Sequence, residues 1–160
     1  MQKINRLFGV YILLLFMVLM ASCSKRPLYT HYEHVPIDGW EKNDILSFDI
    51  PPVKESGYYR QDMGLRVMNS FPFLSLNLVV KQIVLPSGYI HTDTVSCSVY
   101  DRQGNAKGPG VSYYQYKFHF NTIKLLKGDS LHISVKHNMK REIMPGVSDI
   151  GIQMDFDRSI

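Results

Sequence analysis

Cys23 is the residue of this chain best placed for chemistry, because it closes Met20-Ala21-Ser22-Cys23 at the end of an apolar run. A cysteine after small residues in that setting is the substrate of lipoprotein processing. Cleavage is expected before Cys23, with a diacylglycerol on its thiol and an acyl chain such as palmitate on the freed amine. Lys3 and Arg6 supply the positive start of an export signal, and Leu7 to Met20 its apolar centre. That run is about 14 residues, short of the roughly 20 that a membrane span needs.

The other reactive side chains do not assemble into a site. His31 and His34 lie in an extended segment, where a spacing of three puts them on opposite faces. His137 aligns with Val135 and the core face, at the edge of which it is expected to be hydrogen-bonded, whereas His132 faces outward. Asp44 and Asp49 fall near strand ends, and no nucleophile-elbow sequence of the Gly-x-Ser-x-Gly kind occurs. Gly104, Gly108, Pro109 and Gly110 lack the Lys-Ser/Thr and following helix of a phosphate cradle. Cys97 alternates with Val95 and Val99 and has no adjacent His or Lys, so it is predicted to be buried and inert. No nucleophile, base and metal set comes together; a non-enzyme without metal or cofactor is expected.

Tyr113, Tyr114 and Trp40 form the one alternative with a chemical rationale, a sugar-stacking platform. Against it, alternation places Tyr114 and Tyr116 in the core with Phe118 and Phe120, and Trp40 reads as a packing plug.

The elements that would position these residues are strands. Tyr59, Gln61, Met63, Leu65 and Val67 alternate with Arg60, Asp62 and Arg66; Leu74, Leu76, Leu78 and Val80 alternate with Ser75, Asn77 and Lys81. Pro86-Ser87-Gly88 turns the chain into a strand from Tyr89, and Lys127-Gly128-Asp129 turns it into Leu131, Ile133 and Val135. Ile45, Phe48 and Ile50 end at Pro51-Pro52, and Ile150, Ile152, Met154 and Phe156 close the chain. Asn138 to Gly146 is the one stretch suited to a short helical turn. Seven or eight such strands predict an all-β fold, a single antiparallel β-sandwich of immunoglobulin-like or jelly-roll-like type, with a closed barrel as the other solution. The division expected is a signal peptide over 1–22, a lipidated N-terminus and tether over 23–36, and the sandwich over 37–160.

Charge narrows the partners. Lys3 and Arg6 leave with the leader, so 18 basic residues become 16 against 14 acidic ones, and the net charge falls from +4 to +2. That balance argues against nucleic acid. One thiol remains once Cys23 is lipidated, so no intrachain disulfide can form.

Several separated motifs resemble the gliding motility lipoprotein GldH family of Bacteroidetes. They are the Cys23 lipobox, Tyr32 and Trp40 leading to Asp44 and Phe48, and Tyr59 to Arg66 before Phe71-Pro72-Phe73 and Leu76. The pattern continues through Asp93-Thr94, Asp101 with Gly104, Gly108-Pro109-Gly110, and Met139-Lys140-Arg141 to Pro145-Gly146-Val147-Ser148-Asp149-Ile150-Gly151-Ile152. Asn105-Ala106-Lys107 stands where the family tends to have a Trp after the turn, and Met139-Lys140-Arg141 varies the usual Met-Arg. The resemblance implies a non-catalytic lipoprotein of the gliding and linked secretion machinery, held at the outer membrane by its lipid and bound to other envelope proteins. Ser24-Lys25-Arg26 lacks the acidic residues of surface-exported lipoproteins, so a periplasm-facing position is expected. The partner surface is assigned to Asp101, Gly104, Gly108 and Gly110 in one loop and to Met139, Lys140, Arg141 and Asp149 in another, with glycan binding as the alternative.

Overall fold

The computed structural model describes residues 27–158. Ten strands follow one another: β1 (Tyr29–His34), β2 (Trp40–Glu41), β3 (Leu46–Ile50), β4 (Gly57–Met68), β5 (Ser75–Leu85), β6 (Tyr89–Ser98), β7 (Tyr113–Leu125), β8 (Ser130–His137), β9 (Ile143–Met144) and β10 (Val147–Asp157). One sheet has the order β1-β10-β4-β7, a second the order β3-β8-β5-β6, and β2 pairs with β9 in a short ribbon.

All these pairings are antiparallel and nested: β1 with β10, β3 with β8, β4 with β7, β5 with β6. The chain is therefore one long hairpin, doubled at the β5–β6 turn and rolled so that successive pairs alternate between the two sheets. This is the jelly-roll solution of the two sandwich types expected.

Period-two alternation explains the core. Met63, Leu65 and Val67 on β4 and Ile150, Ile152 and Met154 on β10 are buried on one sheet; Leu76, Leu78 and Val80 on β5 and Leu131, Ile133 and Val135 on β8 are buried on the other. Cys97 is buried with Val95 and Val99, as its alternation requires, and burial pushes its thiol up to about 12. Gln61 and Gln82 are also buried, with no protein hydrogen-bond partner for either side-chain amide.

Four features differ from the sequence expectation. The tether expected through Pro36 ends earlier, because Tyr29–His34 is an edge strand registered on β10 from Met154 to Asp149. Its alternation is masked by polar side chains on both faces, and its main chain supplies the ladder. Asn138 to Gly146 contains β9 and turns; no helix occurs among the described residues. Ile45 and Leu74 stand just outside their strands and are exposed. In β7 the alternation itself shifts, since Asp62 pairs with His119 and Gln61 with Asn121, leaving Phe120 as the extra residue of a bulge. Beyond it, Ile123 and Leu125 face inward in place of even-numbered positions.

The sandwich has two distinct ends. At the near end β1 begins, Gly57 pairs with Leu125, Ile50 with Leu131 and Leu85 with Ser130. At the far end His34 pairs with Asp149, Met68 with Tyr113 and Ser75 with Ser98, and segments 35–45, 69–74, 99–112 and 138–146 gather.

Candidate functional site

Both loops assigned to a partner reach the far end, and segment 69–74 joins them. Met68 N–H donates to Gly146 O (2.8 Å), Asn69 N–H to Ser112 O (3.0 Å) and Val99 N–H to Leu74 O (2.8 Å). Within the first loop, Asp101 is committed to its own turn. Oδ1 accepts from Gln103 N–H (2.9 Å) and Asn105 N–H (2.8 Å), and Oδ2 from Asn105 Nδ2 (2.9 Å). Those Asn105 bonds, side chain first, hold the Asp101 carboxyl below its ordinary range. Gly104, at φ 86°, takes the left-handed turn position. A Cβ on Gly108 would sit 2.7 Å from the Tyr116 ring. Tyr116 O–H donates to Val99 O at 2.9 Å, tying β7 to the loop. Tyr116→Phe is expected to lower stability by about 1 kcal/mol in urea unfolding, the usual size for one such bond.

Within the second segment, Met139 packs partly into the core and its sulfur meets Asn77 N–H at 3.4 Å, while Lys140 and Arg141 are exposed. Asp149 is not a loop residue facing a partner: it is buried on β10, where Arg66 Nη1 (3.2 Å), Ser148 Oγ (2.6 Å) and His34 Nδ1 meet its carboxylate. Cys23 lies outside the described residues.

The residues that sequence reasoning missed lie on the outer face of the β1-β10-β4-β7 sheet. Register sets three rows across it. Tyr32, Gly151, Gly64 and Lys117 form the middle row, flanked by Thr30, Gln153, Asp62 and His119 on one side and by His34, Asp149, Arg66 and Gln115 on the other. The Tyr32 ring lies across the two glycines, with its Cζ 2.7 Å from where a Gly64 Cβ would be. Arg66 stands 5.6 Å from the ring centroid. Tyr32, Arg66, Gln115, Lys117 and Gln153, with Pro109-Gly110 and Tyr113 at its far-end side, line a groove of about 630 Å³. The local signal for this arrangement was two glycines inside strand patterns, which mark close approach to backbone.

Asp62, in one flanking row, keeps only 4% of its side-chain surface exposed. Burial alone would raise its carboxyl; hydrogen bonds from Lys117 (3.1 Å) and His119 (3.1 Å) and the Lys117 and Arg60 charges outweigh that and lower it. The unfolded carboxyl titrates near about 3.9, so the Asp62 contribution is complete above that pH and disappears as the pH falls through the lower folded value. The stability gap between wild type and Asp62→Asn is expected to be constant near neutrality and to close in acid, by urea titration across the pH range.

Two hydroxyl–imidazole–carboxylate relays occur: Thr122–His119–Asp62 (3.4 and 3.1 Å) and Ser134–His132–Asp49 (3.3 and 2.7 Å). Ser134 lies on β8, whose main chain pairs with β3 and β5 on both sides, leaving no N–H pair to hold an oxyanion. Asp62 is already committed to Lys117 and Arg60. No three His, Cys, Asp or Glu side chains among the described residues could hold a metal ion. His31 and His34 are parted as expected, to Glu33 and Asp149. Of the proposed sugar platform, Trp40 is fully buried and Tyr114 packs against the core, leaving only Tyr113 exposed.

The GldH lipoprotein family model matches residues 27–154, which takes in every strand named above except the last three residues of β10. The chain belongs to the GldH lipoprotein family. The gliding motility lipoprotein GldH of Flavobacterium johnsoniae is 29% identical over 151 residues, covering 90% of this chain and 94% of that protein. A GldH homolog of Christiangramia forsetii is 22% identical over 160 residues, covering 92% and 95%. The solved structure of a family GH115 4-O-methyl-α-glucuronidase, BtGH115A, matches at TM-score 0.47 and 10% identity, over 86% of this chain and 18% of that one. As a GldH lipoprotein the chain is a membrane-anchored component of the cell envelope, from a family associated with gliding motility.

Proposed function

We propose that this GldH protein is a non-catalytic scaffold, anchored through lipid on Cys23 to the periplasmic side of the outer membrane, that docks another envelope protein at its far end. The observation that carries this is the exposure there of Ile37 (90%), Val111 (84%), Leu74 and Ile143 around the two loops. Large apolar side chains gathered at one place mark an interaction site more often than singly scattered ones. The groove beside them adds Arg66 and Lys117, which suit an acidic or carbonyl-rich segment.

Photoreactive residues at Val111 and Ile143, in lipidated protein in cells, are expected to trap one envelope protein. Yield should fall with Cys23→Ala, and Gln115→Trp, which fills the groove, should lower it from Val111. The reading fails if neither position traps a protein while the soluble domain binds oligosaccharide through Tyr113 and Tyr32.

A further inference from the structure

The near end of the sandwich is a second surface, and its chemistry differs from that of the far end. The β5–β6 turn projects there with Leu85, Tyr89 (58%) and Ile90 (54%) exposed, and Leu126 in the β7–β8 turn is exposed at the same end. Tyr89 and Lys124 line one shallow depression across the sandwich edge, and Lys124 Nζ lies 5.9 Å over the Tyr58 ring. Lys54, Lys127 and Arg158 complete the basic groups, and Lys25 and Arg26 precede β1 in sequence. Glu55, Asp129 and Asp157 are the acids of the same turns. Asp129 closes its own turn, its carboxylate accepting from Leu126 N–H at 2.9 Å. Aliphatic tips, tyrosines with apolar bodies and polar ends, and lysines that reach toward water are the side chains suited to a bilayer–water boundary.

Chain length decides which end meets the membrane. Residues 24–28 separate Cys23 from β1, and the six steps from Cys23 to Tyr29 span at most about 22 Å. Strands of 11 or 12 residues make the sandwich roughly 35–40 Å long. β1 begins at the near end, so a lipid on Cys23 brings that end to the headgroups, and the far end stands clear when the sandwich is upright.

We infer that the near end, through Leu85, Tyr89, Ile90 and Leu126 with Lys124 and Lys127, rests on the lipid surface and orients the sandwich upright upon it. The inference depends on the Cys23 anchor proposed above. Anchoring supplies affinity, since a single weak contact patch would not hold alone, and the patch supplies orientation. The basic excess favours anionic headgroups.

The test uses the mature lipidated chain on vesicles of phosphatidylethanolamine and phosphatidylglycerol. A nitroxide is placed at Ser87→Cys in the near turn or Gln103→Cys in the far loop; buried Cys97 takes no label. The Ser87 label is expected to collide with oxygen more and with a water-soluble nickel chelate several-fold less than in solution, and the Gln103 label to stay aqueous. Tyr89→Glu with Ile90→Glu, both exposed and so compatible with the fold, should return the Ser87 label to aqueous values while the protein still floats with vesicles. If the protein floats but the Ser87 label is as aqueous as the Gln103 label, or if the double variant leaves it buried, this inference is overturned and the anchor stands. If lipidated protein does not float, the anchor reading itself fails and takes this inference with it.

Discussion

Trp40→Ala is expected to lower the stability of the domain by about 3–5 kcal/mol, the range for removing a fully buried tryptophan. Trp40 is closed off from solvent and its Nε1–H donates to Asp44 O at 3.1 Å. Its ring meets the His137 ring edge-on at 5.4 Å, and its own carbonyl accepts from His137 Nε2 at 3.1 Å. A carbonyl only accepts, so Nε2 carries the proton; Nδ1 accepts from Met139 N–H at 3.4 Å, and the imidazole is neutral. Burial, the largest influence, lowers the His137 pKa. An unfolded histidine titrates near about 6.5, so the folded state resists a proton that the unfolded state accepts, and wild-type stability falls as the pH drops below that value. In Trp40→Ala the imidazole gains water and much of that dependence goes. The gap between the two proteins should therefore be widest above neutrality and narrow toward pH 5, read by circular dichroism in urea. Trp40→Phe keeps the aromatic edge and should cost much less. The same variant carries a functional readout, because Trp40 pairs with Met144 in the β2–β9 ribbon. Amide exchange over 138–146 should quicken in Trp40→Ala, with trapping from Ile143 reduced.

What alternation made legible and what it did not follow from one physical distinction. Period two reports which face of a strand is buried, and the burial of β5 and β8 follows it residue by residue, whereas β4 and β10 also bury Asp62, Gly64, Asp149 and Gly151 on the opposite face. It breaks where an extra residue enters, at Phe120, because a bulge changes parity without changing composition. It says nothing about partners. Tyr32, Gly64, Lys117 and Gly151 come from four strands spread over the whole chain, and only register brings them into one row. Sequence places Asp149 with Met139, Lys140 and Arg141 in one segment; its burial beside Arg66 is a tertiary fact. The stretch through Pro36 carries few aliphatic residues, which suggests a tether, yet an edge strand needs only one ladder and Tyr29 packed on the core. The hairpin turns at Pro86-Ser87-Gly88 and Lys127-Gly128-Asp129 were legible because turn chemistry is local. Their place at the end where β1 begins was not, since that depends on where β1 joins the sheet.

Gly64→Val separates two opposed effects at the floor of the groove, and its sign depends on Tyr32. Glycine weakens a strand by roughly 0.5–1 kcal/mol, and valine fits a pleated surface better by up to about 1 kcal/mol. Propensity alone therefore predicts a gain. Packing predicts a loss, because Gly64 faces Gly151 across β4 and β10 and the Tyr32 ring occupies the space over both. A Cβ at Gly151 would lie 2.6 Å from Tyr32 Cδ1, and one at Gly64 2.7 Å from Cζ. Neither strand can yield, since each is paired on both sides. Overpacking of this kind costs about 1–3 kcal/mol, so against a gain of up to about 1 kcal/mol the net expectation is a loss of roughly 1 kcal/mol in the wild-type background. In Tyr32→Ala the ring is gone and only propensity remains, so the same Gly64→Val should stabilise by up to about 1 kcal/mol. The reversal of sign, a coupling of about 2 kcal/mol, is the measurement, taken from urea midpoints of the four proteins. Equal effects in both backgrounds would mean that Tyr32 does not lie on the glycines, and the groove would lose its floor. With the reversal, the pair of glycines has a physical reason to stand in the middle of a sheet: they bring an aromatic ring flat onto the backbone beside Arg66 and Lys117, where a docked segment would meet it.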